Sequence, residues 1–162
     1  MNVRIATIHD IDSVARLLSI IRMKQVPASE IHEIFADIIA SKYADVLLAI
    51  HDDVPVGIAV VNGVLKLNRI ECRVDDVVVD PAVRGGGAGT ALFKACADWA
   101  WSRDCYKIEF TSRTERSSAQ RFYEKMGYTV RESKIFVTFS PHTDYVKTDY
   151  HENQSKERDG TR

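Results

Sequence analysis

The sequence predicts a mixed α/β domain built around one sheet. Three observations lead there. Runs that alternate at period two are interleaved with stretches of helical periodicity. Three strand-like runs follow one another between residues 45 and 79. A strand, a glycine loop, a helix and another strand then succeed one another, which calls for a right-handed parallel crossover. With 162 residues, 45% of them hydrophobic, the chain can bury one substantial core and falls short of two ordinary domains.

Element by element, Val3–Ala6 reads as a short strand. From Asp10, the spacing of Ile11, Val14, Leu18 and Ile21 predicts an amphipathic helix, which the "QVPAS" segment breaks. Ser29 is the expected N-cap of a second helix with Ile31, Ile34, Phe35 and Ile38 on one face. "DVLLAIH" and "VPVGIAVVNGVLK" are rich in β-formers, and the turn between them makes a hairpin. Ile70–Val79 is the strand that enters the glycine loop. Beyond the loop, Ala88, Ala91, Leu92, Ala95 and Trp99 form a helical stripe. "YKIEFTS" follows as a strand. Ala119, Phe122, Tyr123 and Met126 then make another stripe, with Gly127 placed to end that helix. "YTVRESKIFVTF" predicts a last strand pair. The expected organisation is a domain over residues 1–139 and a polar, flexible tail over 140–162.

Composition removes several classes of function. A net charge of -1 gives no general attraction to nucleic acid or to an anionic membrane, so neither is expected as a partner. Cys72, Cys96 and Cys105 are odd in number and lack CxxC spacing, which argues against a disulfide framework and a zinc site. Each lies in an apolar segment, as a core residue would. "HEIFA" (His32–Ala36) begins like a zinc-protease helix but lacks the second histidine, so no metal is expected. No apolar run approaches the ~20 residues of a membrane helix, and the N-terminus lacks a signal-peptide pattern. A cytoplasmic setting is expected.

The strand before the loop changes phase. Ile70, Cys72 and Val74 alternate with Glu71, Arg73 and Asp75. The same phase would turn Asp76 inward, yet the apolar residues resume at Val77 and Val79. A one-residue slip flips every later side chain unless a β-bulge absorbs it. A bulge at Asp75–Asp76 is therefore expected, the alternative being a strand end buried on both faces. A bulge breaks the ladder locally and frees backbone groups for another partner.

Arg84-Gly85-Gly86-Gly87-Ala88-Gly89-Thr90 leads straight into a helix. Glycines let backbone N–H groups approach a ligand, and a helix N-terminus adds unpaired donors and a positive dipole end. Together they suit phosphate or pyrophosphate. Neither GxGxxG nor GxxxxGK[ST] fits the spacing, so this is neither a dinucleotide fingerprint nor a P-loop.

"VVVDPAVRGGGAGTAL" resembles the acetyl-CoA-binding motif of the GCN5-related N-acetyltransferase (GNAT) superfamily, whose [RQ]xxGx[GA] core is met by Arg84, Gly87 and Gly89. "SSAQRFYEKMGY" is similar to the second motif of that family, through Ala119, Phe122, Tyr123, Gly127 and Tyr128. The resemblance spans about Val3 to Phe139 and is nearest to bacterial small-molecule members. Where many members carry asparagine three residues before the motif alanine, this chain has Arg116. The resemblance implies a mostly antiparallel sheet with one splayed parallel strand pair and flanking helices. It implies acetyl-CoA as co-substrate, its pantetheine arm against the backbone of Val77, Val78 and Val79. The pyrophosphate would sit on the amides of Gly85, Gly86, Gly87, Ala88, Gly89 and Thr90, with Arg84 and Arg116 as further cofactor-binding candidates.

Acetyl transfer to an amine makes three demands. The ammonium must lose a proton, the developing oxyanion needs donors, and the leaving thiolate is helped by a proton. A tyrosine phenol, with an ordinary pKa of about 10, is protonated at neutral pH, which makes Tyr123 the candidate general acid. Asp75 and Asp76, with Glu71 as a third, are candidates to bind the ammonium and relay its proton through water. The expected reaction is direct attack by a small-molecule primary amine in a ternary complex. Peptide or protein acetylation and a non-catalytic acyl-CoA-binding regulatory domain remain the alternatives. A homodimer is among the assemblies the resemblance admits, and the identity of the amine is not encoded legibly.

Overall fold

A computed structural model of the protein describes residues 1–112, 117–138 and 140. The β-branched runs form strands and the 3.6-periodic runs form helices, in the expected order. β1 (Asn2–Ile5) is followed by α1 (Ile11–Arg22) and α2 (Ala28–Ala40). Next come β2 (Ala44–His51), β3 (Val54–Lys66) and β4 (Arg69–Val79). α3 (Ala88–Trp101), β5 (Cys105–Glu109) and α4 (Ser117–Lys125) complete the set.

The five strands lie in the order β1-β2-β3-β4-β5. The first three pairings are antiparallel, and β4 pairs with β5 in parallel. Parallel neighbours need a long crossover, and α3 supplies it. The β2–β3 hairpin turns on Asp52 and Asp53, both left-handed at φ 47° and 61°. Aspartate tolerates that region better than most residues, and a turn of this hand matches strand twist.

Each face of the sheet has its own core. On one side α3 places Ala88, Leu92, Cys96, Trp99 and Ala100 against Leu47, Val61, Cys72 and Val74. On the other, Val14 and Leu17 of α1 and Phe35 of α2 meet Val46, Leu48, Ile58 and Val78. Burying a side chain such as Leu17 or Leu92 contributes about 1.5–3 kcal/mol. The far end of α3 is pinned to β2. The Trp99 indole donates to Asp45 at 2.6 Å, and Arg103 pairs with the same carboxylate at 3.0 Å. Trp99 is buried, as its place on the helical stripe predicts, and Trp101 is exposed.

Four expectations need correction. Ser29 does not cap α2. Pro27 holds that position without a side-chain hydrogen bond, and Ser29 lies in the first turn. Proline is suited to a helix start because its fixed φ matches and its missing N–H is not needed there. Ile34 lies outside the buried stripe, which runs through Ile31, Phe35, Ile38 and Ile39. β5 stops at Glu109, short of the expected strand through Ser112. Residues 129–138 carry no helix or strand, although a last strand pair was expected there. Strand propensity acts only where a neighbouring ladder receives it, so alternation alone does not make a strand. Met1–Tyr128 forms one compact unit, and the chain from Thr129 on lies outside it. Among the described residues no helix is long and apolar enough to cross a membrane.

Candidate functional site

The phase change in β4 is resolved by a bulge. On β3, Val60 and Ile58 are two residues apart, while their partners Asp75 and Val78 are three apart. The extra residue falls between Asp75 and Val78, and Asp76 takes a left-handed φ of 46°. That kink returns Val77 and Val79 to the α3 side, where Cys72 and Val74 already pack, and sends Val78 to the α1–α2 side. A left-handed aspartate is a strained but tolerated choice.

The two carboxylates have different surroundings. Asp75 accepts from Arg73 Nε at 3.1 Å and from Asn62 Nδ2 at 3.3 Å. Asp76 keeps contact with solvent, yet the protein around it disfavours its charged form and raises its pKa above the usual carboxylate range. Arg22, at the end of α1, opposes that rise, and Asp75 adds to it. Glu71 is held below its usual range by Arg69, with Lys107 also near.

The parallel seam between β4 and β5 is short. Its partners are Ile70 with Cys105, Cys72 with Ile108, and Arg73 with Glu109. From Val74 onward β4 has no β5 partner among the described residues. The Asp80 amide donates to Val56 of β3 at 2.8 Å. Strand alternation therefore turns the peptide groups of Val79 the other way, toward the gap.

The gap leads to the glycine loop. Asp80 starts a single turn of 3-10 helix over Pro81–Val83 and caps it, its carboxylate accepting from the Ala82 amide at 3.0 Å. Gly85 and Gly87 both have φ 86°, a conformation that costs other residues roughly 1–2 kcal/mol. Gly87 is the N-cap of α3 and offers no side chain to the first turn. The amides of Ala88, Gly89 and Thr90 thus lack intrahelical acceptors. The Gly86 amide is already engaged by Val83 O at 3.2 Å. Arg84 and Gly85 to Gly87 are exposed, and Ala88 is buried.

α4 lies against the start of α3. The Phe122 ring edge would be 3.6 Å from a Cβ built on Gly89. Tyr123 packs its ring on Phe110 at 4.6 Å and on Phe93 at 5.0 Å between centroids. Phe110 is the first residue past the end of β5, so the cluster sits where the seam opens. Gly127, at φ 88°, ends α4 as expected: its amide donates to Glu124 O, and the Tyr128 amide donates to Tyr123 O. That paired arrangement is a Schellman cap.

Residues 11–128 match the acetyltransferase (GNAT) family. The chain belongs to that family. Over 63 residues it is 40% identical to a glucosamine 6-phosphate N-acetyltransferase of Trypanosoma brucei brucei, covering 39% of this chain and 41% of that relative's length. A probable glucosamine 6-phosphate N-acetyltransferase 2 of Oryza sativa subsp. japonica is 29% identical over 142 residues, covering 83% of this chain and 84% of the relative. A crystal structure of a Trypanosoma brucei acetyltransferase superposes with a TM-score of 0.72 at 27% identity, over 85% of this chain and 99% of that one. The protein is an acetyl-CoA-dependent N-acetyltransferase of the GNAT fold.

In this GNAT protein the bulge, the gap, the glycine loop and Tyr123 lie in one compact unit, Met1–Tyr128. Arg113 and Arg116 lie outside the described residues. Arg121 and Lys125 are exposed on α4. The three cysteines are buried and free, and burial pushes the Cys72 and Cys96 thiols up to about 12. Sequence reasoning missed Arg16. From α1 its guanidinium donates to Asp80 Oδ2 at 2.9 Å and to Pro55 O. An arginine on the polar face of an amphipathic helix carries no local sign that it will reach across 64 residues.

Proposed function

We propose that this acetyltransferase moves the acetyl group of acetyl-CoA to the primary amine of a small molecule, by direct attack within a ternary complex. An amino sugar phosphate is the acceptor class to test first, because the relatives named above carry that activity in their names. The observation that carries the reading is the short parallel seam: beyond Arg73 and Glu109, β4 has no β5 partner among the described residues, and the loop that follows it exposes Gly85, Gly86 and Gly87.

In this reading the pyrophosphate takes the amides of Gly85 and Gly87 to Thr90, with Gly86 contributing once its contact to Val83 gives way. Arg84 and Arg116 add positive charge. The pantetheine arm extends the ladder along Val77–Val79. The amine nitrogen attacks the thioester carbonyl carbon, and the oxyanion that forms accepts from the amide of Val78 or Val79, the alternation above favouring Val79. Collapse breaks the carbon–sulfur bond and Tyr123 donates its phenolic proton to the departing sulfur, while the proton that the attacking nitrogen still carries leaves to water and the Tyr123 phenolate takes a proton back from water. Asp75 and Asp76 hold the incoming ammonium, and its proton leaves through water. Buried, protonated thiols are poor nucleophiles, which favours direct attack over a cysteine-bound acetyl intermediate.

The test is a panel of amines that includes glucosamine 6-phosphate, glucosamine, amino acids, polyamines and a lysine peptide, scored by release of free CoA thiol. Turnover confined to a small amine supports the proposal. Turnover with the peptide alone overturns it.

A further inference from the structure

An acidic side chain stands at the base of a loop read as an anion cradle. Asp80 closes β4 and opens the turn from which Arg84 and the glycines follow. Its backbone is fixed by Val56 and Val83, and its carboxylate by the Ala82 amide. A carboxylate so near a pyrophosphate site would repel the ligand unless its charge were cancelled. Arg16 lies on it at 2.9 Å and also grips Pro55 O, tying α1, the start of β3 and the loop together.

We propose that Arg16 is a positioning residue for acetyl-CoA, cancelling the Asp80 charge and holding the turn that carries the glycine loop. The inference rests on the reading of that loop as the pyrophosphate site. Asp80 and Arg84 are the charged residues of the segment 80–90, so with Arg16 paired to Asp80 the loop keeps the positive charge of Arg84. Without Arg16 that surplus is gone. Arg16 and Asp80 are both partly exposed, and such a pair adds little to stability. Its effect therefore belongs on the ligand rather than on the fold.

Arg16→Met tests this. KM and calorimetric Kd for acetyl-CoA should rise about tenfold, with kcat within about twofold and the melting temperature nearly unmoved. Adding Asp80→Asn, which keeps an acceptor for the Ala82 amide, should bring both constants back to within about threefold of the native values. Gly87→Ala is measured in parallel. If Gly87→Ala weakens acetyl-CoA binding and Arg16→Met does not, this inference is wrong and the loop reading stands. If neither weakens it, the loop reading fails and takes the inference with it. A loss in Arg16→Met that Asp80→Asn leaves uncorrected also overturns charge compensation. Should Arg16→Met fold poorly, Arg16→Gln carries the same comparison.

Discussion

Arg73 on β4 and Glu109 on β5 are the last partners of the parallel seam. Past them the two strands no longer pair among the described residues: β4 runs through its bulge at Asp76, and β5 ends at Glu109. One strand thereby keeps its antiparallel neighbour while offering its other edge. Such an edge is normally a hazard, because it invites pairing with another chain. In the proposed binding mode it is where the amide-bearing arm of acetyl-CoA would pair.

Tyr123 is set among Phe93, Phe110 and Phe122 at this opening. Phenylalanine preserves those ring contacts and removes only the hydroxyl. Tyr123→Phe should leave the Kd for acetyl-CoA within about twofold and lower kcat by about a hundredfold to ten-thousandfold if protonation of the thiolate limits turnover. Steady-state kinetics with calorimetry check both halves.

The glycines of the loop differ in what they tolerate. A Cβ on Gly87 would meet no atom within 4 Å, but φ 86° penalises any side chain. A Cβ on Gly89 meets Phe122 at ordinary contact distance without a strained φ. Gly87→Ala should therefore cost about 1 kcal/mol of stability and weaken acetyl-CoA binding. Gly89→Ala should fold as well as the native protein. Urea unfolding and acetyl-CoA titration separate the two.

Asp76 should lose its charge on acidification before an ordinary carboxylate does, because its folded pKa is raised. If it holds the acceptor ammonium, KM for the amine rises as pH falls through that raised value. The rise should be smaller in Asp76→Asn, and Asp75→Asn with Asp76→Asn should lift KM at neutral pH by about tenfold or more. A pH series of acceptor KM checks this.

Acid stability should depend on Asp10. Its carboxylate accepts from Arg4 at 2.7 and 2.8 Å and from the Thr7 amide at 2.8 Å, and the Arg4 bonds hold it well below the usual carboxylate range. A depressed folded pKa means that the contribution is complete above the unfolded value near 3.9 and is lost as pH falls below it. Thermal melts between pH 5 and 2 should show this loss, and Arg4→Met should flatten it.

Much of this was legible in the residue pattern. The phase slip at Asp75–Asp76 foretold the bulge, because period-two alternation leaves no other way to keep Val74 and Val77 on one face. The glycines foretold the open loop. The end of β5 was not legible, since Phe110 continues the apolar pattern of a strand although the ladder stops at Glu109. Arg16 was hidden for a related reason: its partners come from two other elements, and nothing near it in sequence names them. The strand pair expected over 128–139 shows the converse: among the described residues, 129–138 join no ladder.

The central claim is that acetyl-CoA lies in the gap between β4 and β5 with its pyrophosphate on the glycine loop. Hydrogen–deuterium exchange with and without saturating acetyl-CoA measures this most directly. Slower exchange confined mainly to the amides of Val77–Val79 and Gly85–Thr90 is the predicted result. Tight binding that leaves both segments exchanging at the free rate would contradict it.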